Sequence, residues 1–149
     1  MRLSTKGRYA VMAMTDLARH GADRAVSLAE IAARQDISLS YLEQLFARLR
    51  RKGLVQSARG PGGGYRLALP AEQTSVGAIV VAVDEPLKVT RCASQAGGRG
   101  CMPGGEQCIT HHLWEELGDR IQSFLDGVTL EDVVENRVRR SRPAPQVAA

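Results

Sequence analysis

The chain has 149 residues, 44% of them hydrophobic, and a formal net charge of +4. That length allows one domain, or one domain with an appendage, and no apolar run approaches the ~18–20 residues of a bilayer-spanning helix. The charge is divided: residues 1–66 hold twelve Arg or Lys against five Asp or Glu, net +7, and residues 67–149 hold eight against eleven, net −3.

A basic first half predicts a polyanion-binding module, followed by a second module of different character. Seventeen of the twenty cations are arginine, whose planar fork suits phosphate and guanine. The opening MRLSTKGRYA is polar and basic, unlike a secretory leader, so the chain is expected to be soluble and cytoplasmic, with no membrane association.

Ser4 to about His20 reads as a first helix with Tyr9, Ala10, Met12, Ala13, Met14 and Leu17 on its apolar side and Gly21 as a stop. Lys6 and Arg8 lie at the end that the helix dipole disfavours for cations. They are tolerable there on a solvated face or, with Arg2, facing phosphate. Ser27-Leu28-Ala29-Glu30 is a capping box that opens a short helix to Gln35. Asp36-Ile37-Ser38 turns, and a third helix runs from about Leu39 to Lys52 with Leu42, Leu45, Phe46 and Leu49 as its buried stripe. Short helix, turn and longer helix form a helix-turn-helix.

The outer face of the third helix carries Ser40, Tyr41, Glu43, Gln44 and Arg48, with Arg50, Arg51 and Lys52 closing it. Ser38, Ser40, Tyr41 and Gln44 are candidate contacts to base edges or phosphate, and Gln suits adenine. Glu43 repels phosphate but can accept from cytosine, unless it serves only as a capping partner of Ser40. Leu54–Ala58 and Tyr65–Leu67 then flank a glycine-rich turn, which reads as a β-hairpin wing. Arg59, Gly60 and Gly62 would follow the minor groove, with Arg66 near the backbone. A nucleotide-binding loop fails on context, since no helix and no G-K-[ST] follows the glycines. The expected fold is therefore mainly α with a small β-hairpin: a winged helix-turn-helix domain over residues 1–70.

Residues 71–91 form a linker with an apolar helix from Ser75 to about Val83. Residues 92–111, C-A-S-Q-A-G-G-R-G-C-M-P-G-G-E-Q-C-I-T-H, hold all three cysteines in a glycine-rich loop with no apolar periodicity. A loop of that length usually has a function of its own. Cys92, Cys101 and Cys108 are candidate thiolate ligands. The next helix is expected from Ile109 to about Asp126, within a dimerisation segment 109–128. It would place Cys108 and His111 on one face of its first turn and His112 about 100° further round. Three sulfurs and one imidazole suit zinc or an iron–sulfur cluster, and the intervals of eight and six residues are long for zinc knuckles. A disulfide with a spare thiol, or redox-active thiols, are the other uses of three cysteines.

Leu113, Trp114, Leu117, Ile121, Phe124 and Leu125 recur every three to four residues. They predict a helix that pairs with its copy in a second subunit, the alternative being one folded back on its own domain. Residues 129–138 hold a short helix capped by Thr129, and residues 139–149 read as a disordered tail.

The runs M-R-L-S-T-K-G-R-Y-A-V, I-S-L-S-Y-L-E-Q-L-F, V-x-S-x-R-G-P-G-G-G-Y and C-I-T-H-x-L-W resemble the IscR family of bacterial regulators of iron–sulfur cluster assembly, over about residues 1–135. The resemblance implies a homodimeric winged-helix regulator, not an enzyme, that binds a palindromic operator in double-stranded DNA. It also implies a [2Fe–2S] cluster on Cys92, Cys101, Cys108 and His111, delivered by cluster donor proteins. The cysteine intervals are longer than that family's. Related nitric-oxide sensors draw a carboxylate ligand from the first helix, where this chain has Lys6-Gly7-Arg8. The remaining alternatives are a nitric-oxide- or iron-responsive cluster regulator of the same family, an electron-transfer protein and a structural zinc protein.

Overall fold

A computed structural model describes residues 4–83 and 100–138. Arg2, Cys92, the end of the linker and the tail 139–149 lie outside these. The elements are α1 (Thr5–His20), α2 (Leu28–Gln35), α3 (Leu39–Arg51), β1 (Val55–Ala58), β2 (Gly64–Leu67), a 3-10 turn (Ala71–Gln73), α4 (Val76–Val83), α5 (His111–Asp126) and α6 (Leu130–Val134). This is the mainly helical winged fold expected.

The helix starts follow from local chemistry. The Ser4 hydroxyl accepts from the Gly7 amide, and Ser27 and Glu30 form the reciprocal capping box. Ser38, not Ser40, caps α3 by accepting from the Tyr41 amide. Glu43 therefore has no capping role and stays exposed on the outer face. At the other end Gly53, at φ 74°, donates to the Arg50 carbonyl and Leu54 donates to that of Leu49. This is a Schellman motif, and it turns the chain directly into the wing.

The strands pair antiparallel, Val55 opposite Leu67 and Ala58 opposite Gly64. Tyr65 exchanges two backbone hydrogen bonds with Val26, 2.8 and 2.9 Å, just before α2. Its ring meets that of Phe46 edge-on at 4.9 Å. The wing is thus fastened both to the start of the helix-turn-helix and to α3. Gly64 permits this approach, since a Cβ there would collide with the Val26 backbone.

One continuous core holds Ala10, Ala13, Met14 and Leu17 of α1, Ile31 of α2, Leu42, Leu45, Phe46 and Leu49 of α3, Ile79 and Val83 of α4, and Leu130 of α6. Burial at this scale stabilises each large side chain by about 1.5–3 kcal/mol. The core does not stop at residue 70, because α4 packs on α1 and α3.

One core feature was not anticipated. Asp16 lies in the apolar phase of α1, between Ala13 and Leu17, and is 3% exposed. Arg34 donates to both its oxygens, at 2.7 Å from Nη2 and 3.0 Å from Nε, and Gln35 donates at 2.7 Å. Burial pushes this carboxyl up, but the hydrogen bonds from Arg34 and Gln35 and the charges of Arg34 and His20 outweigh it and hold it below its ordinary value. Asp16→Asn should destabilise the fold by about 2–3 kcal/mol, the scale of hydrogen bonds to a charged group, read by urea unfolding at pH 7. A depressed carboxyl stabilises above its unfolded value of ~3.9 and loses this as pH falls through the lower folded value. The Asn variant should therefore lose less stability than the parent on acidification below about pH 4.

Candidate nucleic-acid interface and metal centre

On α3, the residues that turn away from the core stripe are Ser40, Glu43, Gln44, Ala47, Arg48 and Arg51, all exposed. Tyr41 is half-buried, its ring edge-on to Tyr9 at 5.9 Å, so it fixes the start of α3 against α1. Ser38 is engaged as the cap, with its Oγ 3.0 Å from that of Ser40. Lys6, Arg59, Gly60, Gly62 and Arg66 are exposed. In the wing tip Gly60 and Gly62 have φ of 99° and 72°, and the Gly63 amide donates to the Gly60 carbonyl. This left-handed backbone explains the glycine run without any phosphate cradle.

Arg48, a candidate DNA contact by its place on the outer face, also has a partner within the fold. Its Nη1 donates to the carbonyl of Val83, the last described residue of α4, at 2.7 Å. Sequence phase puts it on the outer face but cannot show a partner 35 residues away.

The cysteine loop also differs from expectation. α5 begins at His111, with Thr110 as its N-cap and Ile109 fully exposed. Residues 109–110 form a turn instead of helix. The Thr110 hydroxyl makes no cap bond; it accepts from Trp114 Nε1 at 3.0 Å and lies 3.7 Å from Cys108 Sγ. Cys108 therefore sits before the helix, and the shared-face argument for Cys108 and His111 does not hold. They are instead linked through the backbone, the His111 amide donating to the Cys108 carbonyl.

What brings ligands together is the loop ahead of them. Gly100 donates to Gly105, and Met102 to Glu106, closing a tight return. A Cβ on Gly100 would strike the Gly105 and Glu106 backbone. The return places Cys101 Sγ 3.7 Å from His111 Nδ1, and the Cys108 amide donates to the same sulfur at 3.0 Å. Amide hydrogen bonds to a ligating sulfur are a normal feature of thiolate-held clusters. Cys101 and His111 thus form one sulfur–imidazole pair, which fits part of an iron–sulfur or zinc centre, while the Cys108 sulfur lies against the Thr110 hydroxyl and joins no group of three donor atoms within 4.8 Å among the described residues.

A second donor set lies at the same place. His111, His112 and Glu115 have ligand atoms within 4.8 Å of one another, and His112 Nδ1 is 3.5 Å from Glu115 Oε2. Glu115 was missed by sequence reasoning, although its spacing from both histidines is the signal that finds it. Two imidazoles and a carboxylate are a set that suits ferrous iron.

α5 has no buried residue. Leu113 is 60% exposed and Phe124 52%, while Trp114, Leu117, Ile121 and Leu125 are half-covered. Near its carboxyl end it leans on α4, where a Cβ on Gly77 would overlap the Asp126 carboxylate. No helix among the described residues is long and apolar enough to cross a membrane.

The sequence matches the profile of the Rrf2 family, described as an iron-dependent transcriptional regulator, over residues 3–136. It is 56% identical over 137 residues to the HTH-type transcriptional regulator IscR of Yersinia enterocolitica, spanning 92% of this chain and 81% of that protein. Among solved structures it is similar to T. potens IscR, with TM-score 0.75 and 37% identity over 95% of this chain and 93% of that one. It is also similar to CymR, the global cysteine regulator of B. subtilis, with TM-score 0.73 and 32% identity over 91% and 98%. A cysteine regulator on the same fold means that fold alone does not choose the signal.

Proposed function

The chain belongs to the Rrf2 family of iron-dependent transcriptional regulators, and within it we propose a homodimeric regulator of iron–sulfur cluster assembly genes. It binds a palindromic operator in double-stranded DNA, works in the cytoplasm where that DNA is, and takes its [2Fe–2S] cluster from donor proteins. Cys92, Cys101, Cys108 and His111 hold the cluster. The observation that carries this reading is the Cys101 sulfur set beside the His111 imidazole, with the Cys108 amide on it.

When bound, the cluster supplies a centre whose presence reports cellular iron–sulfur status. The chain's residues do the rest. Cys101 supplies a thiolate from the return and Cys108 one from the segment just before α5, and His111 supplies a neutral, protonatable ligand at the helix start. A site with one imidazole is more readily emptied than an all-thiolate one. Because His111 is the first residue of α5, emptying the site alters the anchoring of the helix proposed to pair the subunits. The two α3 helices then change their relative placement.

The decisive experiment is the visible spectrum, with iron, acid-labile sulfide and zinc analysis, of protein purified without oxygen. Iron with equal sulfide and salt-dependent operator binding supports the proposal. Iron without sulfide supports a second reading, direct iron sensing, which the His111–His112–Glu115 set favours. Colourless stoichiometric zinc refutes both.

On the DNA side, Arg59→Ala and Arg51→Ala should weaken binding across sequences. Each should flatten the plot of log affinity against log salt by ~1, because one phosphate is no longer neutralised and one counterion fewer is released. Gln44→Ala should instead relax preference at one base position by about 1–3 kcal/mol. An unchanged ranking of operator variants removes Gln44 from the base readers.

A further inference from the structure

We propose that Arg48 is a positioning residue that ties the recognition helix to α4, and through α4 to the cluster-bearing helix α5. The proposal rests on the cluster-sensing reading above and adds the route by which the site reaches the DNA.

Val83, the last described residue of α4, is 1% exposed, so its carbonyl is shielded from water. Arg48 supplies a charged donor at 2.7 Å from the third turn of α3. Charge-assisted bonds of this kind are short and about twice as strong as neutral ones.

The other end of α4 meets α5. Gly77 is its second residue, and the absence of a side chain there admits Asp126. α4 also packs on α1 and α3 and is only eight residues long, about 12 Å. Such a short rigid rod, held by α5 at its start and by Arg48 at its end, passes a shift of α5 to α3. Arg51 lies three residues further along α3, with its Nε 3.4 Å from the Ala47 carbonyl of its own helix, so it makes no equivalent bridge to α4.

The test uses full-length protein with and without its cluster. Operator affinity is measured by fluorescence anisotropy across a salt series for the parent, Arg48→Met and Arg48→Lys. Thermal melting and cluster absorption serve as checks on folding. Coupled sites commonly change each other's affinity by about 5–150-fold. In Arg48→Met the ratio of cluster-loaded to cluster-free affinity should fall to within about twofold of unity, against that range. The salt slope should stay at the parent's value. Arg48→Lys, which keeps a donor and a charge, should retain part of the ratio. It serves as the reporter if the Met variant melts without cooperativity.

A slope reduced by ~1 with the ratio intact would make Arg48 a phosphate-binding residue and overturn the proposal. So would an intact ratio in both variants. A parent whose affinity ignores the cluster overturns the sensing reading instead. The slope then still decides Arg48: unchanged in Arg48→Met supports the tether, and a fall of ~1 removes it.

Discussion

A chain carrying Leu117→Glu and Ile121→Glu should sediment as a monomer, keep a cooperatively folded winged module, and lose operator affinity by about 10³-fold or more, toward the non-specific level. α5 leaves an apolar face uncovered. It is a sixteen-residue helix with an apolar stripe from Leu113 to Leu125 and no buried residue. Each apolar Å² left in water forgoes about 25 cal/mol, and Leu113 and Phe124 are more than half exposed. The winged module does not need this stripe, because its core is closed by α1, α3, α4 and Leu130. A second copy of α5 is the self-complementary cover. Half-sites one helical turn apart then need two recognition helices at a fixed spacing, so a monomer reads half an operator. Sedimentation velocity, thermal melting and operator binding on the same sample separate the outcomes. An intact dimer would mean that the subunits pair elsewhere. A monomer without a cooperative melt would mean that α5 belongs to the protomer's own core.

The first three helices and the wing are legible in the sequence because their boundaries are set by neighbours along the chain. Ser27 and Glu30 cap each other, Gly53 ends α3, and glycines turn the wing. The stripe Leu42–Leu45–Phe46–Leu49 follows from helical period alone, and all four are buried. What the sequence hides depends on partners far along the chain. Arg48 has the phase of an outer-face residue, and nothing local reveals the Val83 carbonyl. Asp16 stands in an apolar phase, which is a legible warning, but Arg34 and Gln35 lie eighteen and nineteen residues away. Sequence pattern starts α5 two residues early, because Thr110 looks like any helical residue until Trp114 takes its hydroxyl. At the candidate metal centre, the donor types of Cys101, Cys108 and His111 are plain in the sequence, and Cys92 lies outside the described residues. The pairing of Cys101 with His111 is not plain, since it depends on the return between Gly100 and Glu106.

His111→Ala should strip or strongly destabilise the cluster, with visible absorption and iron falling by roughly tenfold or more, the scale on which supporting and ligating groups act at metal sites. His112→Ala and Glu115→Gln should leave both nearly intact. The distinction rests on place: His111 Nδ1 faces the Cys101 sulfur, whereas the side chain of His112 is 82% exposed and pairs with Glu115. His111→Cys should rebuild an all-thiolate site. Its reduction potential should be lower than the parent's, because a thiolate adds negative charge where imidazole was neutral. It should also survive mild acidification better, since no imidazole remains for protons to compete for. The measurements are absorption, iron and sulfide content, and a redox titration, all without oxygen. Full iron in His111→Ala with none in His112→Ala would transfer the ligand role to His112. Iron lost in His111→Ala, His112→Ala and Glu115→Gln alike, with no sulfide in the parent, would replace the cluster by a single ion on the two histidines and Glu115. Full cluster in all three would place the fourth ligand outside α5, and the 3.7 Å approach of Cys101 to His111 would then have no metal-binding role.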